Sequence, residues 1–142
     1  MRVAVVTVSD RSSRGEREDR GGPAVREACL RHFPGATVHP PLIVPDDADA
    51  IAAAITGLAD DGACDLVLTT GGTGLAPRDV TPQATRAVLD YEVPGLAEAM
   101  RMETRARVAM AILSRQVAGV RKATLVVNLP GSPKGAVECL DA

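Results

Sequence analysis

The sequence predicts an α/β fold, a three-layer αβα arrangement around a mostly parallel sheet. Two observations predict it. Short apolar β-branched runs alternate with stretches whose apolar residues recur at helical spacing, and such alternation builds parallel strands with helices on both faces. Polar segments bearing glycine and aspartate directly follow the strands, where folds of this class place their ligands, at the carboxyl ends of the sheet. The 142 residues suit a single domain over residues 1–142.

Val3 to Val8 is a continuous β-branched run, as in a strand covered on both faces. Ser9 to Gly22 is polar, rich in glycine and arginine, and reads as a loop. Pro23 suits the first turn of a helix. Ala24, Val25, Ala28, Cys29 and Phe33 share its apolar face, up to Pro34-Gly35. Thr37 to Val44 is a second strand, and its interruption by Pro40-Pro41 indicates an edge or a bend. Asp46 and Asp47 stand where an N-cap is wanted, ahead of a stripe formed by Ala50, Ile51, Ala54, Ile55 and Leu58. Asp65 to Thr70 is the third strand and runs straight into Gly71-Gly72-Thr73-Gly74. Thr81-Pro82-Gln83 opens a helix with a hydroxyl cap, a proline at the first position and a capping-box partner. Another helix begins near Pro94 and passes through Met100 and Met102. Ala123 to Leu129 is a fourth apolar strand, with a partner around Val117 to Val120. A last helix starts at Pro130-Gly131-Ser132-Pro133, and the sequence ends soon afterwards at Ala142.

Composition excludes several functions. Tyr91 and Phe33 are the only aromatic residues besides histidine, so neither a base-stacking platform nor an aromatic cage is available. The same shortage argues against a flavodoxin-like flavin binder. Lys and Arg number 16 against 18 Asp and Glu, a net charge of −2. Phosphate-backbone binding needs a basic domain, so no nucleic acid partner is expected. No apolar run approaches the ~18 residues that span a bilayer, so no membrane partner is expected. The N-terminus reads as a strand and not a leader, which points to the cytoplasm. Cys29, Cys64 and Cys139 are widely spaced and odd in number, as buried thiols are. His32 and His39 lack metal-ligand spacing. Met100, Met102 and Met110 read as core filling. Ser114 and Ser132 have no neighbouring histidine for a hydrolase triad.

The chemistry concentrates in the strand-end loops. Gly71, Gly72 and Gly74 permit backbone geometries that side chains forbid, and exposed amides before a helix start suit an anion. Thr70 and Thr73 add hydroxyls, and a phosphate is the natural guest. A tight strand-to-helix turn explains the same loop equally well, and neither GxGxxG nor GxxxxGK[ST] is present. Asp79 reads as a helix-capping carboxylate or as a magnesium ligand beside a phosphate, and Asp46 as an N-cap or as its partner. Mg²⁺ takes one or two carboxylates plus phosphate oxygens, so the pair suits metal-assisted phosphoryl or nucleotidyl transfer. Arg11, Arg14, Arg17 and Arg20 form either a solvated mixed-charge loop or a phosphate clamp. Arg11, beside the strand end, is the one expected to face the site.

Val8-Ser9-Asp10-Arg11, Ile43-Val44-Pro45-Asp46 and the run LTTGGTGLAPRDVTPQAT from Leu68 to Thr85 resemble the molybdenum cofactor biosynthesis family of MogA/MoaB type. VPGLAEAMR from Val93 and ILSRQVAGVRKATLVVNLPGSPKGA from Ile112 extend the likeness over nearly the whole chain. The gephyrin G domain is similar. The resemblance implies a molybdopterin-binding-domain-like fold, usually a homotrimer. It also implies a molybdopterin adenylyltransferase: the terminal phosphate of molybdopterin attacks the α-phosphate of Mg-ATP and releases pyrophosphate. The adenylylated product then passes to a MoeA-type molybdate-insertion protein. Asp46 and Asp79 fall on the family's two catalytic aspartates, which would also hold Mg²⁺. Gly71, Gly72, Thr73 and Gly74, with Thr70 and Thr81, fall on the nucleotide and pterin-phosphate site. Ser9, Asp10 and Arg11 match the first ligand loop, and Asn128, Pro130, Gly131 and Ser132 the last. Gln83 stands where relatives often carry an acid, Gly21-Gly22 replaces a Ser-Gly pair, and the final helix is expected to be short or missing. A MoaB-like non-catalytic pterin-binding or scaffold role is the alternative, and the intact Arg78-Asp79-Val80-Thr81-Pro82 favours the active type.

Overall fold

The computed structural model describes residues Met1–Ala142. Its sheet is built outward from β1 (Arg2–Val8), whose residues from Val3 onward are all buried. A short helix α1 (Asp10–Ser13) follows, then α2 (Gly21–His32). β2 (Thr37–Val38) and β3 (Leu42–Val44) are two pieces of one outer strand, and both pair parallel with β1. Pro40-Pro41 cannot donate to a ladder, so the strand breaks there. Next come α3 (Ala48–Asp60), β4 (Leu66–Thr70) and α4 (Thr81–Val88). β5 (Tyr91–Glu92), α5 (Pro94–Arg105) and a 3-10 turn at Ala109–Leu113 lead to the hairpin of β6 (Ala118–Arg121) and β7 (Thr124–Leu129). α6 (Pro133–Asp141) ends the order.

The seven strands run β2-β1-β4-β7-β6-β5, with β3 also on β1. The β1, β4 and β7 pairings are parallel, while β6 and β5 are antiparallel. The α/β reading therefore holds, with an antiparallel edge on an otherwise parallel sheet. Register aligns the strand ends: Val8 lies opposite Val44, and Thr70 lies opposite both Thr7 and Leu129. The four following loops therefore leave from one edge.

Alternation along β1 divides the core. Val3 and Val5 join Leu66, Leu68, Val25, Met100 and Ala136, under α2, α5 and α6. Ala4, Val6 and Val8 join Val67, Val126, Ile51, Ile55 and Ala84, under α3 and α4. Cys29, Cys64 and Cys139 are buried free thiols, and burial pushes the Cys29 thiol up to about 11. No helix is long and apolar enough to cross a membrane.

Several local expectations change. The stretch from Ser9 to Gly22 is not all loop: Ser9 accepts from the Ser12 N–H and caps α1, and α2 opens at Gly21, ahead of Pro23. Thr81 is not a cap. It lies inside α4, whose N-cap position is Val80 with no side-chain bond. Gln83 closes no capping box and is exposed. Pairing by the two residues of β5 and the 3-10 turn had no sequence signal.

Candidate functional site

Two cavities occupy the carboxyl edge. One, of about 430 Å³, is polar and lies among the ends of β1 and β4 and the start of α2. The other, of about 570 Å³, has an apolar wall of Leu75, Val108, Met110 and Leu113. Gly72, Asp79, Gly131 and Ser132 line both, so the two chambers meet at one wall.

The glycine loop makes that wall possible. Gly71 has φ 108° and Gly72 φ 68°, conformations that exclude most side chains. A Cβ on Gly71 would strike the Val8 carbonyl oxygen, and one on Gly72 would strike the Thr81 hydroxyl. The Gly71 N–H donates to the Leu129 carbonyl and is spent. The amides of Gly72, Thr73 and Gly74 donate to no acceptor in the chain and can receive an anion.

Two aspartates flank the wall. Asp47, not Asp46, caps α3 by accepting from the Ala50 N–H at 2.9 Å. Asp46 is thereby released to the site. Its Oδ2 accepts from the Asp10 N–H at 2.9 Å, and its own N–H donates to Asp10 Oδ1 at 3.0 Å. That exchange locks the end of β1 to the end of β3. Asp46 Oδ1 has no hydrogen bond and lies toward Gly72. Partial burial, with the neighbouring charges of Asp10 and Asp79, holds the Asp46 carboxyl above its ordinary range. Asp79 Oδ2 accepts from the Ala76 N–H at 2.9 Å. Asp10 is held below its ordinary range by the Arg78 guanidinium, which donates to both its oxygens at 2.7–3.0 Å.

The other expected residues divide. Ser9, Thr70, Gly71, Gly131 and Ser132 line the polar chamber, and Thr73, Gly74 and Pro130 the apolar one. The Thr70 hydroxyl is used, donating to the Pro130 carbonyl at 2.8 Å. Asp10 braces Asp46 from outside both chambers. Arg11 does not face the site: it sits exposed on α1, because the helical turn begun at Ser9 carries it outward. Arg17 and Arg20 line the polar chamber instead, while Arg14 pairs with Glu16 on the surface. Thr81 lies beneath the loop, its hydroxyl donating to the Gly71 carbonyl at 2.9 Å. Asn128 is fully buried below it. Its Nδ2 donates to Thr69 and Thr85 at 2.9 Å each, and its Oδ1 accepts from the Val117 N–H at 3.2 Å. Thr81 and Asn128 shape the site without reaching its surface. Gly21, the departure from a Ser-Gly pair, lines the polar chamber, whereas Gln83 lines neither.

Sequence reasoning missed Gln116, Lys134 and the functional place of Ser114, all of which line the apolar chamber. β6 runs antiparallel to β7, so its amino end reaches the edge where the parallel strands finish. The polar triplet Ser114-Arg115-Gln116 before an apolar strand was the available signal.

Comparison with known proteins agrees with this geometry. The family model described as a probable molybdopterin binding domain matches residues 4–142. The chain is 44% identical over 140 residues to a protein of Helicobacter pylori strain J99 named molybdopterin adenylyltransferase, covering 99% of this chain and 80% of that protein. It is 45% identical over 141 residues to the Escherichia coli K12 protein of that name, covering 99% and 72%. Among solved structures, the molybdopterin biosynthesis enzyme MoaB of Thermus thermophilus superposes with TM-score 0.89 at 52% identity, covering 99% of this chain and 87% of that one. A MogA structure superposes with TM-score 0.92 at 38% identity, covering 99% and 91%. From strand order to glycine loop, the chain belongs to the molybdopterin-binding-domain family of molybdenum cofactor biosynthesis.

Proposed function

We propose that this chain is a molybdopterin adenylyltransferase. The terminal phosphate of molybdopterin attacks the α-phosphate of ATP, the bond to pyrophosphate breaks, and adenylyl-molybdopterin forms. The observation that carries this reading is the meeting of two chambers at one wall bearing free amides and Asp79. A transfer between two substrates needs two seats and one junction, and a correctly held pair reacts as if unimolecular.

The chain's own groups have distinct tasks. The amides of Gly72, Thr73 and Gly74, with Arg17 and Arg20, bind phosphate oxygens. Leu75, Val108, Met110 and Leu113 offer an apolar surface, exposed in the free chain, against which a substrate packs. Asp46 and Asp79 each keep one carboxylate oxygen without a hydrogen bond, and no cluster of three or more His, Cys, Asp or Glu could hold an ion by itself. That donor set fits Mg²⁺ carried in on phosphate oxygens. Asp46 and Asp79 would hold the ion, which would supply neutralisation of the charge on the transferred and leaving phosphates. The family resemblance extends the reading to a homotrimer, a cytoplasmic location and a MoeA-type molybdate-inserting partner for the product. Leu96, Met102 and Ile112, outside both chambers, leave apolar surface for such contacts.

The test is pyrophosphate release from ATP on addition of molybdopterin. Asp79→Asn is expected to lower it by about 10²-fold or more, as loss of charge stabilisation at a transition state does. Tight molybdopterin binding with no pyrophosphate release would assign the chain a MoaB-like pterin-holding role instead.

A further inference from the structure

Arg115 lies in the connector between the 3-10 turn and β6, yet its bonds go to another loop. Its backbone N–H donates to the Thr73 carbonyl at 2.9 Å. Its Nε donates to the Gly74 carbonyl at 2.8 Å, and its Nη2 to the Asp79 carbonyl at 2.6 Å. The loop between β4 and α4 is thus gripped at both ends by one residue. Residues 75–78 between those ends are exposed, and their ties are the Ala76 N–H to the Asp79 carboxylate, the Asp79 N–H to the Ala76 carbonyl and Arg78 to Asp10. A guanidinium presents its donors in a rigid plane, so it sets the spacing of the two carbonyls where a flexible side chain would not.

The connector itself is anchored and does more than hold a loop. Arg101 of α5 donates through Nη1 to the Ser114 carbonyl at 3.3 Å and the Gln116 carbonyl at 3.1 Å. Leu113, Ser114 and Gln116 line the apolar chamber. A ligand in that chamber therefore bears on the segment that places Asp79.

We propose that Arg115 is a positioning residue that couples occupancy of the apolar chamber to the placement of Asp79. Its effect on rate rests on the adenylyltransferase reading; its effect on the loop does not. The experiment compares Arg115→Met, Arg115→Lys, Asp79→Asn and the Asp79→Asn/Arg115→Met pair in the full chain. Arg115→Met is expected to lower kcat for pyrophosphate release by about 10- to 100-fold, the usual loss for groups that orient a ligating residue. Arg115→Lys retains part of the rate. In the Asp79→Asn background, Arg115→Met has no further effect, because its route to the reaction is gone. Exchange of the two hydrogen-bonded amides of this loop, Ala76 and Asp79, quickens in Arg115→Met, and added molybdopterin slows it in the parent protein but not in that variant. Independent, multiplying losses in the double variant would overturn the proposal, as would unchanged exchange at the Ala76 and Asp79 amides. If the parent protein releases no pyrophosphate, the adenylyltransferase reading fails, and the exchange comparison decides on Arg115 by itself. Should Arg115→Met not fold, Arg115→Lys is read by the same two measurements.

Discussion

Ionised Asp46 is an uncomfortable group. It is partly buried and faces the charges of Asp10 and Asp79, and its carboxyl is accordingly raised. A carboxyl raised on folding favours the protonated form, so its charge costs stability once the pH exceeds the unfolded value of ~3.9. Asp46→Asn removes that charge, and the amide oxygen still accepts from the Asp10 N–H. At neutral pH the variant is expected to melt no lower than the parent, and higher if the amide settles in place. It should lose pyrophosphate release as Asp79→Asn does. A thermal midpoint several degrees below the parent would mean that Asp46 is a structural brace. The two aspartates were visible in the sequence as a pair, but not their division of labour. Only the Ala50 N–H, reached by Asp47, decides which one caps α3. Arg11 was misplaced for a related reason: Ser9 starts a helical turn, and that turn, not proximity to β1, sets where the next arginine points.

Single elements carry the loop as much as its glycines do. α4 supplies Thr81, whose hydroxyl supports the Gly71 carbonyl from below, and Thr85, which bonds back to the Thr81 carbonyl at 2.8 Å. Thr81→Val keeps the shape and deletes the bond, leaving a buried acceptor unpartnered. The expected cost is about 1–3 kcal/mol in urea unfolding, with weaker phosphate binding as the loop loosens. A variant as stable as the parent would place the support elsewhere. The sequence announced α4 through Pro82 but assigned Thr81 the wrong task, since a threonine before proline looks like a cap. β1, β4, β7 and the three long helices α2, α3 and α5 were legible because each is an apolar run or stripe that hides against the others. β5 was not, because its two residues are exposed and belong to the sheet only through their bonds to β6. The four converging loops followed from strand order alone. The apolar chamber did not, since it depends on the antiparallel turn of β6.

Across the molecule, the two edges of the sheet do different work. The carboxyl edge holds the chambers. At the opposite end Arg2 grips Asp65, with Nη2 to Oδ1 at 2.8 Å and the backbone N–H to Oδ2 at 2.7 Å, joining the starts of β1 and β4. These bonds lower the Asp65 carboxyl to about 2. A carboxyl depressed on folding stabilises fully above the unfolded value of ~3.9, and that stabilisation is lost as the pH falls toward about 2. Arg2→Met should therefore begin acid unfolding at a higher pH, followed by circular dichroism, while kcat at neutral pH stays unchanged. Equal acid profiles would show that the exposed pair is screened.

The broken outer strand has a consequence for crowded solutions. A long flat edge offers its unpaired amides to any passing chain, and runaway stacking starts there. Pro40-Pro41 reduces this edge to lengths of two and three residues, and β5 at the far side is only two. Although Leu42 and Ile43 are exposed beside the gap, a stray strand finds too short a ladder to hold. The prolines that looked like a defect in β-propensity act as a guard against aggregation.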